Sequence, residues 1–163
     1  MFIGIDLGTS SIKMILIDHE QNILATSNSS LTVQTAKDGY SEQNPEEWIN
    51  ATTECLEALR QEKPREFSKT ISIGISGHMH GATLIDNTDS VIRPCILWND
   101  TRSHEECLEF ENQNFDVRSI SGNITMPGFT APKINWLKKN EKENFNKIFK
   151  VLLKKDYLRF YLT

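Results

Sequence analysis

The chain has 163 residues, about one ordinary domain, and its 38% hydrophobic and 25% charged residues can build a core and argue against disorder. Its 18 basic and 22 acidic side chains leave a net charge of −4 with no long run of either sign, which disfavours a nucleic-acid or anionic-membrane surface. No apolar stretch approaches the roughly 20 residues of a membrane span, the N-terminus lacks a signal-peptide pattern, and Cys55, Cys95 and Cys107 share no C-x-x-C spacing, so a soluble cytoplasmic domain is expected.

Phe2, Ile3 and Ile5 read as a strand leading into the turn-rich Asp6-Leu7-Gly8-Thr9-Ser10-Ser11. Ile12 to Ile17 resumes as strand, Asp18 to Asn22 makes a polar turn, and Ile23 to Val33 runs extended. Short β-branched runs bounded by Gly, Asp, Asn and Ser are a hairpin-meander signature. Asn44 as N-cap, Pro45 at N1 and Glu47 at N3 then predict a helix start. Trp48, Thr52, Cys55, Leu56 and Leu59 fall on one face of that helix. Ile71 to Ser76 alternates as a strand, and Ala82 to Ile85 and Val91 to Trp98 read as two more about an Asp86–Ser90 turn. Arg102 to Asn112 reads as an acidic helix, Pro127, Gly128 and Pro132 punctuate a loop, and Lys133 to Asn146 reads as an exposed helix. Lys150 to Leu153 is a last strand before a helix start near Asp156. The order predicts an α/β domain with a mixed sheet and flanking helices.

Three segments carry residues suited to chemistry. In Asp6-Leu7-Gly8-Thr9-Ser10-Ser11-Ile12-Lys13, Gly8 permits close backbone approach and the Thr9 and Ser10 hydroxyls stand beside main-chain amides, a concavity suited to phosphate oxygens. Asp6 could hold magnesium, and Lys13 could neutralise a phosphate. An ordinary hairpin explains the same residues. His78-Met79-His80-Gly81 follows a strand, where α/β proteins place ligands, and a histidine there can bond a hydroxyl. Satisfied loop histidines are the plainer alternative, and a metal site lacks nearby ligands. Trp98, Asn99, Asp100 and Arg102 combine an aromatic face with an amide, a carboxylate and a guanidinium, a mixture that suits sugars. An N-cap at Asp100 with a solvated Arg102 would account for them equally well.

Together these segments resemble the FGGY family of carbohydrate kinases, and within it the xylulose kinases. Ile3 through Lys13 resembles the family's phosphate hairpin, and Ser41-Glu42-Gln43-Asn44-Pro45-Glu46-Glu47-Trp48 its lead into the first helix. His78 to Thr83 and Leu97 to Arg102 resemble its sugar-side loops, and Met126 to Lys133 and Leu152 to Arg159 match further segments. The resemblance implies the N-terminal part of a ribonuclease H-like domain in an actin-like ATPase fold. It also implies transfer of the ATP γ-phosphate to D-xylulose, giving D-xylulose 5-phosphate.

By the same resemblance, Met79 and His80 match the substrate-contact pair, with Trp98, Asn99, Asp100 and Arg102 beside them. Asp6 matches the acid near Mg2+ and the phosphates, and Gly8, Thr9, Ser10 and Lys13 match the hairpin that faces ATP. The general base and the C-terminal ATP-binding half are expected beyond Thr163, and the resemblance allows a homodimer in the full-length form. His78 stands where xylulose kinases carry Gln, and Lys154 where they carry Pro. Three alternatives are a non-catalytic sugar-binding module, an inert truncated remnant, and an actin-like chaperone, whose Gly4 to Thr9 opening is shared but whose pattern leaves the later loops unexplained.

Overall fold

The computed structural model describes residues 1–112 and 117–163. In chain order its elements begin with β1 (Phe2–Leu7), β2 (Ser11–Ile17), β3 (Ile23–Ser30), β4 (Glu42–Gln43), α1 (Pro45–Glu62), α2 (Pro64–Phe67) and β5 (Ser72–Gly77). They continue with β6 (Thr83–Ile85), β7 (Cys95–Ile96), α3 (His104–Glu111), α4 (Val117–Ser121), α5 (Thr130–Asn140), α6 (Lys142–Lys147), β8 (Lys150–Leu152) and α7 (Lys154–Leu162). The elements group into two compact units, one of Met1–Val33, Pro45–His78 and Lys155–Thr163, the other of Gln34–Asn44 and Met79–Lys154.

The first unit is built on a four-stranded mixed sheet in the order β3-β2-β1-β5, antiparallel except for the parallel pair β1 and β5. Alternation along β1 and β2 puts Ile3, Ile5, Leu7, Ile12, Met14 and Leu16 on the buried face. Helix α1 packs on β2 and β3 through the stripe read from the sequence: Trp48, Thr52, Cys55 and Leu59 are buried, with Leu56 at its half-buried margin. Fully burying a side chain such as Leu59 contributes about 1.5–3 kcal/mol. Thr52 donates to the Trp48 carbonyl at 2.7 Å, and Ser27 donates to the Cys55 carbonyl at 3.0 Å, which ties helix to strand. Tyr157 of α7 meets Trp48 edge-on at 6.2 Å.

The second unit holds two short antiparallel pairs, β4 with β7 and β6 with β8. Its core gathers Ala82, Leu84, Ile96 and Leu137, with Ile134, Trp136 and Phe145 packed against them. Here the structure departs from the sequence reading twice. The strand expected over Val91 to Trp98 shrinks to Cys95–Ile96 with an isolated bridge at Val91, since Pro94 has no N–H for a ladder. The helix expected over Lys133 to Asn146 is two helices, because Glu141 leaves helical geometry (φ −134°) and its carboxylate reaches Arg93 at 3.4 Å. That segment is also not simply exposed: Pro132, Lys133 and Leu137 of α5 are buried. The short helices α2 and α4 were not anticipated.

Candidate functional site

Within the first unit the hairpin residues gather on the open face of the sheet. Asp6 lies opposite Lys13 across the β1–β2 ladder and level with Ser76 on β5. Asp6, Lys13 and Ser10 are exposed, whereas Gly8 and Thr9 are half-buried in the turn. The Gly8 N–H closes the turn on the Ser11 carbonyl at 3.0 Å, and a Cβ at Gly8 would press on that same oxygen. A shallow concavity of about 500 Å³ runs along this face, with Gly4, Asp6, Lys13, Gly74 and Ser76 in its wall. Both charged groups therefore meet solvent, where a charged ligand would meet them. Among the described residues a single carboxylate, Asp6, lines this face, and no cluster of three or more metal-ligating side chains occurs. That donor set fits a magnesium ion carried on phosphates, which needs only one or two protein carboxylates, and does not make a closed metal cage.

The second unit contains a pocket of about 260 Å³ walled by three loops. His80 comes from the loop after β5, Trp98, Asn99 and Asp100 from the loop after β7, and Met126 to Phe129 from the loop before α5. The His80 ring stacks on Phe129 with centroids 4.6 Å apart. Burial, together with the Lys133 charge, lowers the His80 pKa below its ordinary 6.5, so the imidazole is neutral at pH 7. A neutral imidazole both donates and accepts, as a hydroxyl ligand requires. Trp98 is 48% exposed and is one of the residues lining the pocket. Gly128 is tight against that loop: a Cβ there would collide with the Trp98 carbonyl oxygen.

Asp100 and Arg102 are engaged with each other. Asp100 Oδ1 accepts from the Arg102 N–H at 3.0 Å and Nε at 2.9 Å, while Oδ2 accepts from the Ser41 N–H at 2.6 Å and the Arg102 terminal nitrogen at 2.7 Å. These four bonds fill a carboxylate's acceptor positions. Arg102 also pairs with Glu42 at 2.6 Å, and its guanidinium lies 3.7 Å from the Tyr40 ring centre. Burial alone would push the Arg102 pKa down; the Asp100 and Glu42 carboxylates more than offset it and raise it. Asp100 is not the N-cap of α3, a place taken by Ser103, and Arg102 is not solvated. Of the six sugar-side residues read from the sequence, His80, Trp98, Asn99 and Asp100 line the pocket; Met79 is 58% exposed, and Arg102 braces Asp100 from behind.

Met126 to Phe129 form a wall that the sequence reading quoted only as a matching segment. The available signal was Pro127-Gly128, where a loop is obliged to approach another backbone closely.

Two buried lysines complete this unit. Lys133 donates to the carbonyls of His80 (2.8 Å) and Gly128 (2.6 Å), and burial lowers its pKa to about 8. Lys154, at the position expected to hold Pro, donates to Gln43 Oε1 at 2.6 Å. Burial pushes the Cys95 thiol up to about 11, which keeps it protonated at neutral pH. No helix among the described residues is long and apolar enough to cross a membrane.

The family model for the N-terminal domain of the FGGY carbohydrate kinases matches residues 1–163. The xylulose kinase of Escherichia coli K12 is 47% identical over 163 residues, which are all of this chain and 33% of that protein. The xylulose kinase of Bacillus subtilis 168 is 41% identical over 162 residues, 99% of this chain and 32% of that protein. The chain thus spans about a third of the length of the curated relatives it matches. Among solved structures, one described as a xyloylose kinase from Brucella ovis superposes with a TM-score of 0.95 at 52% identity, covering 98% of this chain and 33% of that one. A gluconate kinase from Lactobacillus acidophilus gives a TM-score of 0.90 at 25% identity, covering 98% and 32%. The actin-like, ribonuclease H-like mixed α/β fold expected from the sequence is therefore the fold observed. End-to-end agreement with the family model and with these relatives makes the chain a member of the FGGY family of carbohydrate kinases, corresponding to its N-terminal domain.

Proposed function

We propose that this chain is the sugar-holding and phosphate-facing part of an ATP-dependent kinase acting on an open-chain ketose, with D-xylulose as acceptor and D-xylulose 5-phosphate as product. The observation that carries the reading is the pocket beside His80. It combines a neutral imidazole, an aromatic residue and an amide, and at about 260 Å³ it falls just below the usual ligand-cleft range of about 300 Å³ and above. No lysine or arginine among the described residues lines it, and the nearby buried cations Lys133 and Arg102 are held by carbonyls and carboxylates. An uncharged ketose suits such a wall better than an aldonate, whose carboxylate would ask for an open cation.

The exposed pair Asp6 and Lys13, with Gly8, Thr9 and Ser10 in the turn, supports a role facing the phosphates of ATP and their magnesium. Asp6 would carry the metal contact, while Lys13 and the turn would receive phosphate oxygens. In phosphoryl transfer such groups position the transferred group and neutralise charge. Among the described residues Asp100 is the one carboxylate that lines the pocket, and its acceptor positions are filled. We therefore assign the proton acceptor for the attacking hydroxyl, and the grip on the nucleotide, to a further part of a longer polypeptide. The three-fold greater length of the relatives supports that division.

Calorimetry of the 163-residue chain with D-xylulose and with D-gluconate, paired with a coupled ADP-release assay, tests the reading. D-xylulose should bind more tightly than D-gluconate, with no sustained turnover. Tighter D-gluconate binding would overturn the substrate. Turnover abolished by Asp6→Asn would overturn the assignment of the base and the nucleotide grip to a further part.

A further inference from the structure

Lys133 has no accessible surface although it sits in the first turns of α5, on a segment whose sequence suggests an exposed helix. Burying an ammonium is costly unless it is well paired. Its partners are two main-chain carbonyls, of His80 at 2.8 Å and of Gly128 at 2.6 Å. Those carbonyls belong to the two loops that present the imidazole and the phenyl ring stacked on it, since Phe129 follows Gly128. His80 itself has φ +66°, a left-handed conformation that non-glycine residues adopt rarely and that needs support from its surroundings.

We propose that Lys133 is the positioning residue of this pocket: by clamping the carbonyls of His80 and Gly128 it fixes the left-handed turn at His80 and the stacking of its ring on Phe129, and so aims the imidazole at a bound hydroxyl. The last clause rests on the ketose reading of the pocket; the clamp does not.

Lys154 provides a matched control, because it is equally buried in the same unit, bonds a side-chain amide and does not line the pocket. The comparison is Lys133→Met against Lys154→Met in the full 163-residue chain, read by NMR at His80 and by calorimetry with D-xylulose. Lys133→Met should lose the left-handed backbone shifts of His80 and the ring-current shift from Phe129, and should weaken ketose affinity tenfold or more. Lys154→Met should keep both even where its Tm falls as far. Unchanged His80 signals in Lys133→Met, or the same changes in Lys154→Met, would overturn the clamp.

If Lys133→Met does not fold, the wild-type pH profile decides. Lys133 loses its charge around pH 8, whereas Cys95, facing it from β7, titrates near 11, and Arg102, facing it beside Asp100 from the loop before α3, is held above its ordinary value. His80 is neutral throughout this range. Ketose affinity should fall severalfold between pH 7 and 9.5 with a midpoint near 8, and a flat profile would overturn the proposal. Should wild-type chain fail to bind D-xylulose at all, the ketose reading falls while the His80 signals of the two variants still decide the clamp.

Discussion

On the sheet face of the first unit, Asp6 and Lys13 are exposed across the β1–β2 ladder; in the second unit, Asp100, Arg102, Lys133 and Lys154 are buried and held by named partners. Exposed charges cost little to carry, and their long side chains can rearrange when a charged ligand arrives with its own counterion. A buried network pays desolvation in full and is tolerable only when every member is bonded, but it then holds its surroundings in one arrangement. The contrast fits the two kinds of ligand proposed for these faces. A polyphosphate brings charge enough to organise a soft site, whereas a neutral sugar must find its hydrogen-bonding partners already aimed.

The comparison breaks most visibly at Asp100. Asp100→Ala strips Arg102 of its bidentate partner and leaves the Ser41 N–H buried without that acceptor, so chemical denaturation should show a loss of about 3–5 kcal/mol. A loss below about 1 kcal/mol would mean that the network is not holding the loops. Gly128→Ala comes next. Its methyl group must push the Trp98 carbonyl away, and overpacking of this kind typically costs about 1–3 kcal/mol, with ketose binding reduced alongside stability.

His80→Ala should separate the two effects. Ketose affinity falls by roughly 1–3 kcal/mol from loss of a hydroxyl partner, while the unfolding midpoint moves little. Unchanged binding in calorimetry would remove His80 from the ligand's contacts. Asp6→Asn is the smallest in stability, within about 0.5 kcal/mol, because the group is exposed and off the core. In a full-length enzyme the same change should lower turnover far more than it weakens sugar affinity; the reverse pattern in steady-state kinetics would place Asp6 on the sugar side.

Acidity gives a further handle on the same contrast. The His80 pKa is lowered in the folded chain, so the unfolded chain takes up a proton first as pH falls below about 6.5. Stability contributed at this position is present above that pH and lost below it. Lys133 works at the alkaline end. Its folded value near 8 lies below the ordinary 10.5, so the unfolded chain holds more protons between those limits and stability should rise with pH there. Denaturation midpoints measured from pH 5 to 10 would show both slopes in the wild type, and Lys133→Met should flatten only the upper one.

Much of the first unit was legible because it is governed by periodicity. The two-residue alternation of β1 and β2 and the helical stripe from Trp48 to Leu59 report directly which faces are buried. The second unit was harder for physical reasons. Its pocket is assembled from three loops spread between His80 and Phe129, where no period operates. Further along the chain, Lys133 reads as a solvated charge until its two carbonyl acceptors are seen, and Glu141 gives no breaker signal before its ion pair to Arg93 is known. Asp100 and Arg102 illustrate the same limit. The sequence shows a carboxylate beside a guanidinium, but whether they face a ligand or each other depends on Ser41, Glu42 and Tyr40, far away in the chain.

The three tryptophans sit in three different environments: Trp48 is fully buried, Trp136 lies 5.0 Å from the Arg102 guanidinium, and Trp98 is half exposed at the pocket wall. Their emission is consequently a built-in optical readout of occupancy. A ligand that covers the Trp98 indole withdraws it from water and shifts its fluorescence to shorter wavelength, while Trp48, already dry, contributes a constant background. Replacing Trp136 with Phe would simplify the spectrum further, so that binding at the pocket could be followed on a stopped-flow timescale without any attached dye.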